Sequence, residues 1–220
     1  MIRYTEHEDQ LNTWSHALGI VLGVAMGAVF LSWCVRAHDG WAFFAVSLYV
    51  FGMLSSYVAS TAYHGSPPSS PLRARLRHWD HAAIYWHIAG SYSPVTLLAM
   101  QDVGWWGWGL FLFVWLAALV GTCMSFLRLK EHSHLETVCF VLMGLSVLVA
   151  FKPLSECVAP ATLWWLVAEG VCYVLGAGVY ALSHGRRYVH AVFHVFVLAG
   201  SVCHIVCVSQ VLLLTTSYPN

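Results

Sequence analysis

Apolar residues in this chain come in long blocks, and polar residues gather between the blocks and at their ends. A helix needs ~20 mostly apolar residues to cross a bilayer. Seven segments qualify: about 15–35, 42–64, 81–100, 105–126, 134–152, 161–183 and 190–213. The first is free of charge from Ala17 to Val35, and the third is interrupted by His81 and His87. The sixth contains Glu169, and the seventh contains His190, His194 and His204. The connections are short except for 65–80, which carries Pro67, Pro68 and Pro71 and then Arg73, Arg75 and Arg77. Proline stops helices, so this stretch reads as a connection rather than as part of a span. The pattern predicts an all-α protein, a single seven-transmembrane helix bundle over residues 1–220. Gly19, Gly23 and Gly27 repeat every four residues and predict close helix packing on the first span.

Composition agrees with the blocks. The chain is 59% hydrophobic and only 9% charged, where a soluble domain carries about 25% charged residues. Formal net charge is zero, which leaves no electrostatic case for a nucleic-acid partner. Several of the 11 tryptophans and 10 tyrosines flank the apolar runs, as an interfacial belt does. The 7 cysteines form no CxxC pair and mostly lie inside apolar runs, so they read as small buried hydrophobes. The N-terminal stretch is acidic and mixed in charge, without the basic start of a removable signal peptide.

Basic residues set the orientation. With the N-terminus inside, the inner segments hold Arg3, Arg73, Arg75, Arg77, Arg128, Lys130, Arg186 and Arg187, against Arg36 and Lys152 outside. The expected topology is N-terminus cytoplasmic and C-terminus outside, in the cell membrane, with Arg73, Arg75 and Arg77 against anionic headgroups.

That topology brings three helix ends to one leaflet. They carry Ser60 and His64, then Asp80, then His190 and His194. Histidine and aspartate are costly near hydrocarbon and usually serve a function there. His190 and His194 are four apart and share a helix face, and His64 can supply a third nitrogen. Three histidines with an open fourth position make the usual catalytic zinc arrangement, so Zn2+ is the expected cofactor. Zinc lowers the pKa of a bound water to about 7. Asp80 is then placed to orient that water or take its proton, and Ser60, one turn before His64, to hydrogen-bond substrate, water or a ligating histidine. Two other readings of these histidines stand beside this one. They can snorkel to the interface, or the metal group can be haem held by axial histidines from opposing helices, such as His87 and His204, an arrangement that two ligands on one helical turn suit poorly.

These residues resemble the haemolysin III family, within the larger group of progestin and adiponectin receptors and alkaline ceramidases. The resemblance runs through Asn12-Thr13-Trp14-Ser15-His16, Ser60-Thr61-Ala62-Tyr63-His64, the stretch from Asp80-His81 to Ser93-Pro94, His190-Ala191-Val192-Phe193-His194, and Gly200-Ser201-Val202-Cys203-His204. It implies a short bacterial-type member with seven spans around a zinc ion near the cytoplasmic face. It assigns ligation to His64, His190 and His194, and a place beside the ion to Asp80 and Ser60. It also implies a membrane lipid as substrate or ligand. Two departures from the family pattern, Asp9 for glutamate and Ser15 for threonine, keep the polar group.

The leading expectation is a zinc-dependent hydrolase of a lipid amide or ester. The second is a receptor or regulator of membrane homeostasis in which zinc only staples helices. A third, a pore-forming haemolysin, is disfavoured by seven firm spans. Asn12 and His16 are expected to cap the first helix or close the site from below, and His87 to face the bundle. Glu169 is expected to be either a functional acid or a hydrogen-bonded packing residue, and His204 to lie too far along its helix to ligate the zinc.

Overall fold

The computed structural model describes residues 4–127, 134–183 and 185–216. The described chain is all-helical: α1 (Glu6–Arg36), α2 (Gly40–Gly65), α3 (Pro71–Pro94), α4 (Trp106–Leu127), α5 (His134–Leu145), α6 (Phe151–Cys157), α7 (Pro160–Ala181) and α8 (Val189–Thr216). α5 and α6 are joined by a 3-10 turn, Ser146–Ala150, into one broken rod, which makes seven rods in all. α1 packs on α2 and α8, α2 on α3, and α7 on α5 and α8, while α3 touches α2, α4, α5 and α8. Arg3, Arg128 and Lys130, used above for orientation, lie outside the described residues.

Six rods are long and apolar enough to cross a membrane: α1, α2, α4, the α5–α6 unit, α7 and α8. α3, with its arginines and histidines, is not among them. The burial pattern is that of an integral membrane protein. Leu18, Val21, Val149 and Trp164 are each 60% exposed or more, while Asn12, His64, Arg73, His194 and Ser201 are buried. Apolar surface on this scale suits lipid rather than water, and helices satisfy their own backbone there.

Local sequence explains most helix boundaries. Thr5 and Glu8 form a reciprocal capping box that starts α1 nine residues before the expected position. Asp39 caps α2. The segment 65–80 departs from expectation, because α3 begins at Pro71 and includes all three arginines. Ser70 accepts from the Leu72 amide, and Pro71 sits at the first helical position, where its missing N–H costs nothing. The fifth span also differs, breaking after Leu145. There the Tyr92 hydroxyl donates to the Gly144 carbonyl (2.6 Å) and accepts from the Val147 amide (3.0 Å), replacing backbone partners that a continuous helix would supply.

Glycines allow two close approaches. Gly19, Gly23 and Gly27 face Tyr57, Leu54 and Val50 of α2, as the four-residue repeat predicts. Gly52 and Gly90 bring the backbones of α2 and α3 together, and a Cβ at Gly52 would collide with the Trp86 carbonyl. Of the cysteines, only Cys34 and Cys207 are fully buried, and Cys123 is exposed on the apolar outer face.

Candidate metal centre

His64 stands in the last turn of α2, and His190 and His194 in the first turns of α8. All three are buried, and one ring nitrogen from each lies within 4.8 Å of the others. The Nε2 atoms of His190 and His194 are 3.1 Å apart. Three imidazole nitrogens gathered this closely can hold a metal ion, and among the described residues this is the one such group.

Most of the support comes from α1. Asp9 places Oδ1 3.0 Å from His64 Nδ1, and the Asn12 amide is 3.5 Å from the same nitrogen. A proton on Nδ1 donated to Asp9 leaves a lone pair on Nε2. That Nε2 is buried with no hydrogen-bond partner. An orphaned buried acceptor costs roughly 1–3 kcal/mol, and a cation at the triad would relieve it. Nδ1 of His194 is likewise engaged, 3.2 Å from the Asn12 carbonyl and 2.9 Å from Ser15 Oγ, so its Nε2 also faces the cluster. His16 stacks flat on the His194 ring, 3.6 Å between centroids. Since Thr5 is the cap of α1, Asn12 and His16 are wall residues of the site rather than capping residues.

Arg73 corrects a second expectation. It is 2% exposed and does not reach headgroups. Its guanidinium donates to both Asp9 oxygens, at 2.7 and 2.8 Å, and to the His64 and Ser66 carbonyls, and it lies 4.8 Å over the Tyr63 ring. A buried arginine is tolerable only with such pairing. Arg73, Asp9 and His64 therefore form one continuous charge-assisted chain ending at the triad.

Tyr4 covers the triad from the N-terminal side, with its ring 5.3 Å from His64 and 5.1 Å from His190. Burial, then the neighbouring Tyr63, Tyr180, Asp80 and Asp9, push its phenol well above the ordinary value, so it stays a hydroxyl. Asp80, half-buried on α3, lies within electrostatic reach of the Tyr4, Tyr63 and Tyr180 hydroxyls. It is outside the ligating group. Ser60 is buried one turn before His64. The sequence reading missed Tyr4, Arg73 and the role of Asp9. The spacing Asp9, Asn12, His16, Gly19 on one α1 face was the available signal for Asp9.

A family model described as Haemolysin-III related matches residues 4–205. The chain belongs to the haemolysin III family. It is 30% identical to Hemolysin-3 of Bacillus cereus over 99% of this chain and 98% of that protein. It is 28% identical to the Hemolysin-3 homolog of Bacillus subtilis (strain 168), over 93% and 94% of the two chains. It is also 26% identical to the Homo sapiens monocyte to macrophage differentiation factor, over 91% of this chain and 82% of that one. The haemolysin III match spans every residue of the centre, from Tyr4 to His194.

Proposed function

We propose that this haemolysin III protein is a zinc-dependent membrane hydrolase of a lipid amide or ester. The observation that carries the reading is the buried triad, in which the Nε2 of His194 meets that of His190 and the Nε2 of His64, whose Nδ1 is held by Asp9, is buried without a hydrogen-bond partner. Tetrahedral zinc with bonds of ~2.0–2.1 Å holds its nitrogens roughly 3.3–3.4 Å apart, near the 3.1 Å between the Nε2 atoms of His190 and His194, with the His64 nitrogen within 4.8 Å of both. In the same reading α3 is a seventh span, the N-terminus is cytoplasmic, and the whole chain is one membrane domain.

A zinc ion at the triad supplies Lewis acidity, polarising a carbonyl and making a water easier to deprotonate. The side chains do the rest. Asp80 accepts the proton of the attacking water at a carboxylate oxygen and returns it to the leaving amine or alcohol. Ser60 donates its hydroxyl proton in a hydrogen bond to the substrate oxygen. Tyr4 and the apolar walls keep bulk water from the reacting carbonyl. The test is lipid-amide and lipid-ester hydrolysis by reconstituted protein. Asp80→Ala should retain the metal and lose at least 100-fold in rate. Full activity in that variant would contradict the mechanism.

One feature favours a second reading, a receptor or regulator with a purely structural zinc. The Tyr4 ring lies directly against two of the three histidines, as in a closed site. Under that reading neither wild type nor Tyr4→Ala turns over any lipid, whereas under the first wild type hydrolyses lipid and Tyr4→Ala, which admits bulk water, is slower.

A further inference from the structure

A second set of polar side chains fills the middle of the bundle, away from the triad. On α8 the inward face that begins with His190 and His194 continues through Ser201 and His204, both buried. His204 lies ~15 Å beyond His194 at 1.5 Å rise per residue. Its Nδ1 is 2.6 Å from Oε2 of Glu169 on α7. One turn along α7, the Tyr173 hydroxyl is 3.2 Å from Ser201 Oγ, which also meets the Tyr57 hydroxyl at 2.7 Å. His87 Nε2 of α3 is 3.5 Å from both Tyr173 and Ser201. Nearer the opposite end, Thr162 of α7 donates to Gln210 of α8 at 2.8 Å. From His190 to Gln210, α8 rises ~30 Å, the thickness of a bilayer's hydrocarbon core. Polar pairs thus recur along that length, separated by apolar turns such as Cys207 and Val208 between His204 and Gln210.

The groups facing this set are Tyr49 and Tyr57 of α2, His87 and Tyr92 of α3, Tyr173 of α7, and Cys203 and Cys207 of α8. His16 of α1 touches it edge-on at Tyr57. None is a fixed cation that would lock Glu169 in a salt bridge. Two further facts select the traffic. His204 Nε2 is buried with no hydrogen-bond partner, a lone pair placed to accept. The pair also offers too few ligands to replace the water around a metal or alkali cation.

We propose that this column carries protons across the membrane, with the Glu169–His204 pair holding the proton in transit at mid-depth. When His204 Nε2 takes up a proton, the Nδ1 proton passes to Oε2 of Glu169. Glu169 then releases that proton onward, and the ring turns so that its remaining N–H again faces Glu169, which restores the starting arrangement with one proton taken up and one released. The hydroxyls of Tyr173, Ser201 and Tyr57, with intervening water, carry the proton onward. No other bond changes, and the net result is one proton moved down its electrochemical gradient. An imidazole held at one nitrogen and open at the other is suited to this, and acid–histidine chains inside spans serve as proton relays. The proposal rests on neither the metal nor hydrolysis.

The test is proton flux into liposomes that contain the purified protein and a trapped pH dye, driven by a potassium gradient with valinomycin. Wild type should exceed protein-free vesicles by roughly tenfold, and Glu169→Gln and His204→Gln should each fall to background. Glu169→Asp, which keeps the carboxyl, should retain flux, and size-exclusion elution establishes that each variant is folded. If Glu169→Gln or His204→Gln fails to fold, wild type and Glu169→Asp still decide. Wild-type flux at the protein-free level would overturn the proposal, as would unchanged flux in both folded glutamine variants. Equal leakage of sodium or a neutral dye would overturn it as well, since that marks a general pore.

Discussion

Two histidines in this protein are built alike and sit in different surroundings. His64 and His204 each give Nδ1 to a carboxylate, Asp9 at 3.0 Å and Glu169 at 2.6 Å, and each leaves a buried Nε2 without a partner. The surroundings separate them. At His64 the carboxylate is gripped by Arg73, and two more imidazoles converge on the free nitrogen. At His204 no arginine binds the glutamate among the described residues, and the neighbouring polar groups are hydroxyls, the thiols of Cys203 and Cys207 and a single further histidine. A fixed cation behind the carboxylate holds the first histidine in one tautomer, as a metal ligand requires. Without that cation the second pair can exchange protons. A carboxylate–histidine pair therefore does not define a site until its second neighbours are counted.

The comparison can be broken most strongly at the ligands. His190→Ala/His194→Ala should remove the metal altogether, while proton flux through the Glu169–His204 pair survives, as read by metal content and vesicle assay. Next comes Arg73→Met, which strands the Asp9 carboxylate in a buried position. Breaking a buried pair from one side costs about 3–5 kcal/mol, so a large fall in thermal midpoint is expected, and an unchanged midpoint would remove Arg73 from the account. Asp9→Asn is milder. It keeps all three ligands and should weaken metal binding about 10–100-fold, measured by competition with a chelator. Glu169→Gln should leave metal affinity unchanged and cost only about 1–3 kcal/mol of stability. A metal affinity that fell with it would show that the two regions are one system. Tyr4→Ala is the smallest change, with unaltered metal stoichiometry and faster metal exchange.

The sequence carries some of this plainly and some not at all. His64, His190 and His194 were legible because helix ends and i, i+4 spacing are local properties, and topology alone brings those ends together. The all-helical, membrane-embedded fold was legible for the same reason, from the length of the apolar blocks. The start of α3 was misread because Pro67, Pro68 and Pro71 read as breakers, whereas Ser70 and Pro71 form a start signal. The break after Leu145 was invisible, since its cause, the Tyr92 hydroxyl, lies more than fifty residues away in sequence. Arg73 reads as one of three surface arginines until Asp9, sixty-four residues earlier, is placed beside it. Pairings of that range depend on packing, and no periodicity in the sequence encodes them.

The central claim is that the triad binds a metal, and metal analysis of detergent-purified protein tests it most directly. Inductively coupled plasma mass spectrometry would compare wild type with the His190→Ala/His194→Ala variant. The account predicts about one zinc ion per wild-type chain and none in the variant. No stoichiometric metal in the wild type would make the three histidines a packing cluster and would end the hydrolase reading.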